Sequence, residues 1–256
     1  MSYGLPAPEV ILEKASSISK FHMDPNFLAD VVRDSFDVYE VPLKGWDVKE
    51  WRCEALAFGR NVPCLPSGLK SGSPRTVSKV NLPSSEGLIV FKGKVLPKVD
   101  EVVEGPSLTL PEDFESLFVN AMVEGDYRAK VIVESVQGAR AYVREGDDVC
   151  VATYYQSFWY GTAHNATALA LLSLIKSNRT LIFLPYLADD YEEAFENCSV
   201  IYLLEGLGVC DGLSKEGGVL KIGCKGETFG SPFDTPDKVD LGLLKRQSEL
   251  VWAILT

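Results

Sequence analysis

Residues 126–175 constrain the fold more than any other part of this chain. Val131, Ile132 and Val133 give residues 130–135 the β-branched content and alternation of a half-buried strand. Gln137 and Gly138 then offer a turn. Residues 139–144 resume the alternation, with Ala141 and Val143 on one face and Arg140, Tyr142 and Arg144 on the other. A second turn is expected at Glu145, Gly146, Asp147 and Asp148, where Gly146 can take the positive φ of a tight hairpin. A third strand over 149–155 leads through an aromatic run to Gly161 and to Thr162, a fitting N-cap for a helix over 163–177. Ala166, Leu169, Ala170, Leu172 and Ile175 cover so much of that helix that it must be largely buried.

Upstream, Pro111 stands at a first helical position, and Glu112, Asp113 and Glu115 place carboxylates where the helix dipole favours negative charge. Phe114, Leu117, Phe118, Ala121 and Met122 form one helical stripe. This order of helix, three-stranded meander and helix resembles the PATAN domain, an α/β module of bacterial signalling proteins and archaeal stand-alone proteins. The matching elements are the helix 114–123, the entry Gly125, Asp126 and Tyr127, the strand 129–134, the segments 138–146 and 149–152, and Ala163 or Ala166 leading into 169–172. The resemblance is confined to residues 111–175. It implies an adaptor-like role in protein interaction and carries over no catalytic residue.

The expected fold class is α+β, an antiparallel meander sheet flanked by helices, with extensions at both ends. Residues 1–61 read as a helical region, with helices over 9–21, 25–36 and 46–59 and a short strand over 38–43. Residues 62–85, rich in Pro, Ser and Gly, read as a loop or linker. Residues 86–187 form the α/β core, with strands over 87–92, a candidate to join the meander, and 180–184. In the C-terminal region, 188–256, a helix is expected from Ala188 through Leu204, stopping at Gly206 and Gly208. A strand over 219–224 and a closing helix over 237–254 complete it.

An apolar content of 46% with 10% aromatics belongs to folded globular chains. The apolar run that ends at Ile175 is stopped by Lys176 and Arg179, so a membrane span is not expected. The first residues lack a basic start and an apolar core, which leads to a cytoplasmic expectation. A net charge of −11 argues against nucleic-acid binding by the molecule as a whole. The charge is unevenly spread, however: Lys70, Arg75, Lys79, Lys92, Lys94 and Lys98 face the single acid Glu86, and residues 99–127 then carry eight acids with Arg and Lys absent. That pattern is either a solvated basic loop beside an acidic helix or a basic arm for RNA.

Cys53, Cys64, Cys150, Cys198, Cys210 and Cys224 are too scattered for a zinc ribbon, and with His22 and His164 as the two histidines no metal site or cofactor is expected. Cys210 and Cys224 flank a Gly-rich turn and could be joined across a hairpin. A disulfide in the cytosol would suit a hyperthermophile, as would the three glutamines, so a thermophilic archaeal source is expected. Residues 67–73 lack the order of a phosphate-binding loop. Asn165, Asn178 and Asn197 each begin a glycosylation triplet, but two fall in expected helices and all three read as chance matches. Cys150 and His164 could form a thiolate dyad; the plainer reading makes Cys150 a packed side chain and His164 a half-exposed residue near a helix cap. Asp189, Asp190, Glu192 and Glu193 read as solvent-facing.

Tyr154, Tyr155, Phe158, Trp159 and Tyr160 offer the best candidate for a partner-binding surface. The sequence thus points to a non-enzymatic interaction module that binds a protein partner or a second copy of itself. The alternative is a ribonucleoprotein-associated factor using residues 67–98. No small-molecule substrate is identified.

Overall fold

The computed structural model describes residues 4–19, 25–78, 87–156 and 163–256. Two helices, α1 (Pro8–Ile18) and α2 (Phe27–Ser35), precede the long strand β1 (Tyr39–Ala57) and its short return β2 (Arg60–Asn61). The strands β3 (Leu65–Pro66), β4 (Thr76–Ser78), β5 (Leu88–Phe91) and β6 (Leu108–Leu110) come next, followed by α3 (Glu115–Glu124) and a second long strand, β7 (Tyr127–Arg144). Then come β8 (Asp147–Tyr154), α4 (Ala163–Leu174), β9 (Arg179–Leu184), the single turn α5 (Glu192–Phe195) and β10 (Val200–Glu205). A hairpin of β11 (Leu213–Glu216) and β12 (Val219–Gly223) leads to the closing helix α6 (Leu241–Leu255).

Helices flank a large central sheet in which antiparallel pairing predominates, as expected of an α+β chain. The sheet runs β11-β12-β10-β8-β9-β7-β1-β2, and a smaller one runs β3-β6-β5-β4. Its wiring departs from the expected meander. Residues 130–144 do not fold back on themselves: β7 continues straight through Gln137 and Gly138 and pairs with β1 from Tyr127 to Val143. The partner strand takes in residues 46–57 of the expected helix 46–59, whose Lys, Glu, Ala and Leu content reads as helix. Intrinsic propensity yields there to ladder bonds and burial, with Val48, Trp51, Ala55 and Ala57 all inside. The ribbon bulges between Leu43 and Trp46. Gly45 makes the bulge possible, because its φ of 140° and its approach to the Leu187 carbonyl leave no room for a Cβ.

β8 is separated from β7 by β9 and lies parallel to both β9 and β10. The expected helix over 188–204 is also corrected. Its helical part is four residues long, and residues 200–205 form a parallel strand paired between β8 and β12. A short apolar run has no period by which helix and buried strand can be told apart.

Strand alternation sorts the core into two faces. Val151, Leu181, Phe183 and Leu204 point to the side covered by α1, α2, α4 and α6. Ala141, Cys150, Ala152, Ile182 and Leu203 point to the other side, under α5. The far half of the β1–β7 ribbon carries α3 and the small sheet, joined through Ile89, Leu108, Phe118 and Val131. Residues 62–78 are therefore not a linker: they contribute β3 and β4, and Leu65, Ser67 and Leu69 are buried. Likewise, the strand at 88–91 belongs to the small sheet and not to the central one.

All six cysteines are paired. Cys210 is joined to Cys224, with Cα atoms 5.2 Å apart. Two further bonds link Cys53 to Cys64 beside the β1–β2 turn and Cys150 on β8 to Cys198 before β10. Cys150 is thus no nucleophile. Among the described residues no helix is long and apolar enough to cross a membrane.

Candidate functional site

β12, β10, β8 and β9 are parallel, and their carboxyl ends share one edge of the sheet. After β8 the chain crosses by α4 to β9, and after β9 it crosses the opposite face by α5 to β10 on the far side of β8. Open α/β sheets form a crevice at such a switch point, and ligands bind there. The strand ends deliver Tyr154, Tyr186, Glu205 and Lys225 to this edge, and α4 begins beneath it with His164 and Asn165.

His164 and Asp234 are each 1% exposed, and Nδ1 of the imidazole lies 2.5 Å from Oδ1 of the carboxylate. The backbone N–H of Gly226 donates to His164 Nε2 at 2.8 Å. The acceptor at Nε2 places the ring proton on Nδ1, where it donates to Asp234. Both nitrogens are therefore used, and Gly206 donates its N–H to the His164 carbonyl. Gly206 has φ 65°, and a Cβ there would collide with the Cys224 carbonyl. The expected half-exposed histidine is instead a buried clasp between α4, the end of β10 and the loop after β12.

Around the clasp, Tyr186 divides its hydroxyl between Glu205 at 3.2 Å and Asn165 at 3.3 Å. Its backbone N–H donates to Gln156 Oε1 at 2.7 Å, and Gln156 Nε2 donates to Asn26 on the α2 side. Tyr154 stacks on Tyr186 with centroids 4.0 Å apart, and Phe229 meets Tyr186 edge to face at 5.4 Å. Lys225 Nζ stands 5.2 Å from the Tyr186 ring and 5.0 Å from the Phe229 ring. Burial, reinforced by the Glu205 charge, pushes the Tyr186 phenol well above its ordinary value. Glu205 is 7% exposed, and the Tyr186 hydroxyl is its hydrogen-bond donor. No Lys, Arg or His among the described residues forms an ion pair with it.

The residues expected to form a partner surface divide. Tyr154 belongs to this cluster. Tyr155 is buried at 3%, packs edge to face on Tyr142 and donates its hydroxyl to the Arg140 carbonyl. It is core, because alternation along β8 turns it to the α2 side. Phe158, Trp159 and Tyr160 lie outside the described residues. The basic segment is no free arm either. Lys70 pairs with Glu104 at 2.7 Å, and Lys92 and Lys98 both pair with Asp100, so the segment folds onto the acids that follow it. Arg75 and Lys94 are exposed, and Lys79 lies outside the described residues. Sequence reasoning missed Glu205, Tyr186, Asn165 and Asp234. A signal for the first was present: Glu205 ends an apolar run and is followed by glycine.

No protein-family profile and no curated protein matches the chain. Solved structures do. BSAP, a zinc aminopeptidase from Bacillus subtilis, is 10% identical with a TM-score of 0.57, over 98% of this chain and 95% of that one. An aminopeptidase from Aneurinibacillus sp. strain AM-1 is 10% identical with a TM-score of 0.51, over 98% and 94%. A putative peptidase from Clostridium acetobutylicum is 11% identical with a TM-score of 0.52, over 96% and 78%. What is shared at such identity is the fold. That likeness runs against the expected non-enzymatic adaptor with macromolecular partners alone, and against its RNA-associated alternative, because nearly the whole chain shares its fold with solved aminopeptidases. The zinc of the Bacillus subtilis aminopeptidase does not fit the described residues of this chain. His164 has no free nitrogen, the cysteines are bonded to one another, and no group of three or more His, Cys, Asp or Glu among the described residues could hold a metal ion.

Proposed function

We propose that this chain takes peptides at the carboxyl edge of its parallel strands, with the free amino terminus of the peptide on Glu205. The observation that carries this reading is a carboxylate 7% exposed, with one hydroxyl donor and no cationic partner among the described residues. An ionised carboxylate accepts several hydrogen bonds, and its burial is costly until a cation or donors reach it. Lys225 Nζ already stands over the Tyr186 and Phe229 rings, so the attraction for the peptide ammonium rests on the Glu205 carboxylate. Tyr154, stacked on Tyr186, supplies a flat apolar wall for the first side chain of the peptide. Aminopeptidases that share the fold lend weight to a ligand of this polarity.

Calorimetry with a tripeptide amide and with its N-acetyl counterpart tests the reading, with cleavage followed by mass spectrometry in the same samples. Losing a charge-assisted hydrogen bond of about 1.5–3 kcal/mol should weaken binding of the acetylated peptide roughly 10- to 100-fold. Glu205→Gln should weaken the free peptide to the same degree. Equal affinity for the two peptides would refute the reading.

A further inference from the structure

The three disulfides leave no thiol free, a construction typical of chains that mature in an oxidising compartment. In that setting the three Asn-X-Ser/Thr triplets take on a different meaning. Asn178 lies in the bend between α4 and β9, and Asn197 in the turn between α5 and β10, not in helices. Both are exposed. Asn165 is 2% exposed in the first turn of α4, where its amide donates to the Gln156 carbonyl at 2.5 Å and accepts from Tyr186.

We propose that the folded protein carries N-linked glycans on Asn178 and Asn197 and none on Asn165. The hydroxyls that complete the two exposed triplets hold the same short segment: Thr180 Oγ1 donates to the Asp147 carbonyl at 2.6 Å, and Ser199 Oγ donates to the Asp148 carbonyl at 3.2 Å. Once β8, β9 and β10 have paired, these hydroxyls are engaged, so the transfer takes place on the chain before that pairing. In the transfer the asparagine Nδ2 bonds to the anomeric carbon of a lipid-phosphate-linked oligosaccharide. The bond from that carbon to the phosphate oxygen breaks, the lipid phosphate leaves, and an amide proton is lost to a base. Both asparagines border the amino ends of the parallel strands, the edge opposite Glu205. Glycans there stand away from Glu205, whereas one on Asn165 would occupy the interior.

Intact-mass measurement and peptide mapping of the chain purified from its native cells test the proposal. The expected result is a glycan mass on Asn178, Asn197 or both, with Asn165 bare. Asn178→Gln and Asn197→Gln should each remove the increment of their own peptide and leave the unfolding temperature in place. Bare asparagine at both sites, or a glycan on Asn165 in folded protein, would overturn it.

Discussion

Replacing Cys150 and Cys198 together by alanine opens a loop spanning 48 residues, whereas replacing Cys53 and Cys64 opens one spanning 11. A cross-link restrains the unfolded chain by an amount that grows with the logarithm of the loop, which gives about 4 kcal/mol for the longer and about 2.8 kcal/mol for the shorter. The difference of about 1.3 kcal/mol corresponds to roughly tenfold in the folding equilibrium constant. Packing adds to it in the same direction, since Cys150 is 1% exposed among Ala152, Ile182 and Leu203 while Cys53 and Cys64 are half-buried. Urea unfolding followed by tryptophan fluorescence measures both losses, and the m-value should rise in each variant, more for the longer loop, as the unlinked denatured chain exposes more surface. Against a total stability of about 5–15 kcal/mol, either variant should retain a folded population. If the short loop cost as much as the long one, the reasoning would fail. The segment between β8 and β10 would then be restrained in the denatured chain without its disulfide.

Asp234→Ala leaves the buried Nδ1–H of His164 without an acceptor and should cost about 1–3 kcal/mol, while Asp234→Asn keeps an acceptor oxygen and should cost less. Thermal unfolding of the two variants distinguishes them, and equal losses would show that the clasp contributes through packing alone. Burial first, with the Glu205 charge in the same sense, pushes the Tyr191 phenol up to about 12, and burial likewise raises Tyr154 and Tyr186. An unfolded tyrosine ionises near pH 10, so the stabilisation is complete below that value. It falls as pH rises toward about 12, by about 1.4 kcal/mol per unit for each such tyrosine. Tyrosinate absorbance should therefore rise in step with unfolding; rapid, reversible ionisation of all the tyrosines in folded protein would contradict this.

Wherever local pattern and tertiary demand agree, the elements were legible. The helices α1, α2, α3, α4 and α6, the strands β9 and β12, the two-faced alternation of residues 139–144 and the hairpin enclosed by Cys210 and Cys224 all follow from capping, periodicity and turn chemistry. Long-range pairing was not legible, and two cases show why. Residues 46–57 carry helix-forming side chains and become a strand because β7 presents a complementary ladder. Residues 200–205 carry an aliphatic run that suits either state and become a strand because β8 and β12 enclose it.

The chain by itself determined which residues are apolar enough to be buried, where most helices begin, and that the protein is an α+β molecule with more acid than base. It did not determine the site, because Glu205, Tyr186, His164 and Asp234 come from four separate segments whose meeting depends on strand order. Hydrophobic period is a property of neighbours along the chain, whereas a crevice belongs to the ends of strands brought side by side by crossovers. Only the tertiary structure could place the Glu205 carboxylate against the Tyr186 hydroxyl and the rings stacked around it, and the peptide reading begins from that juxtaposition.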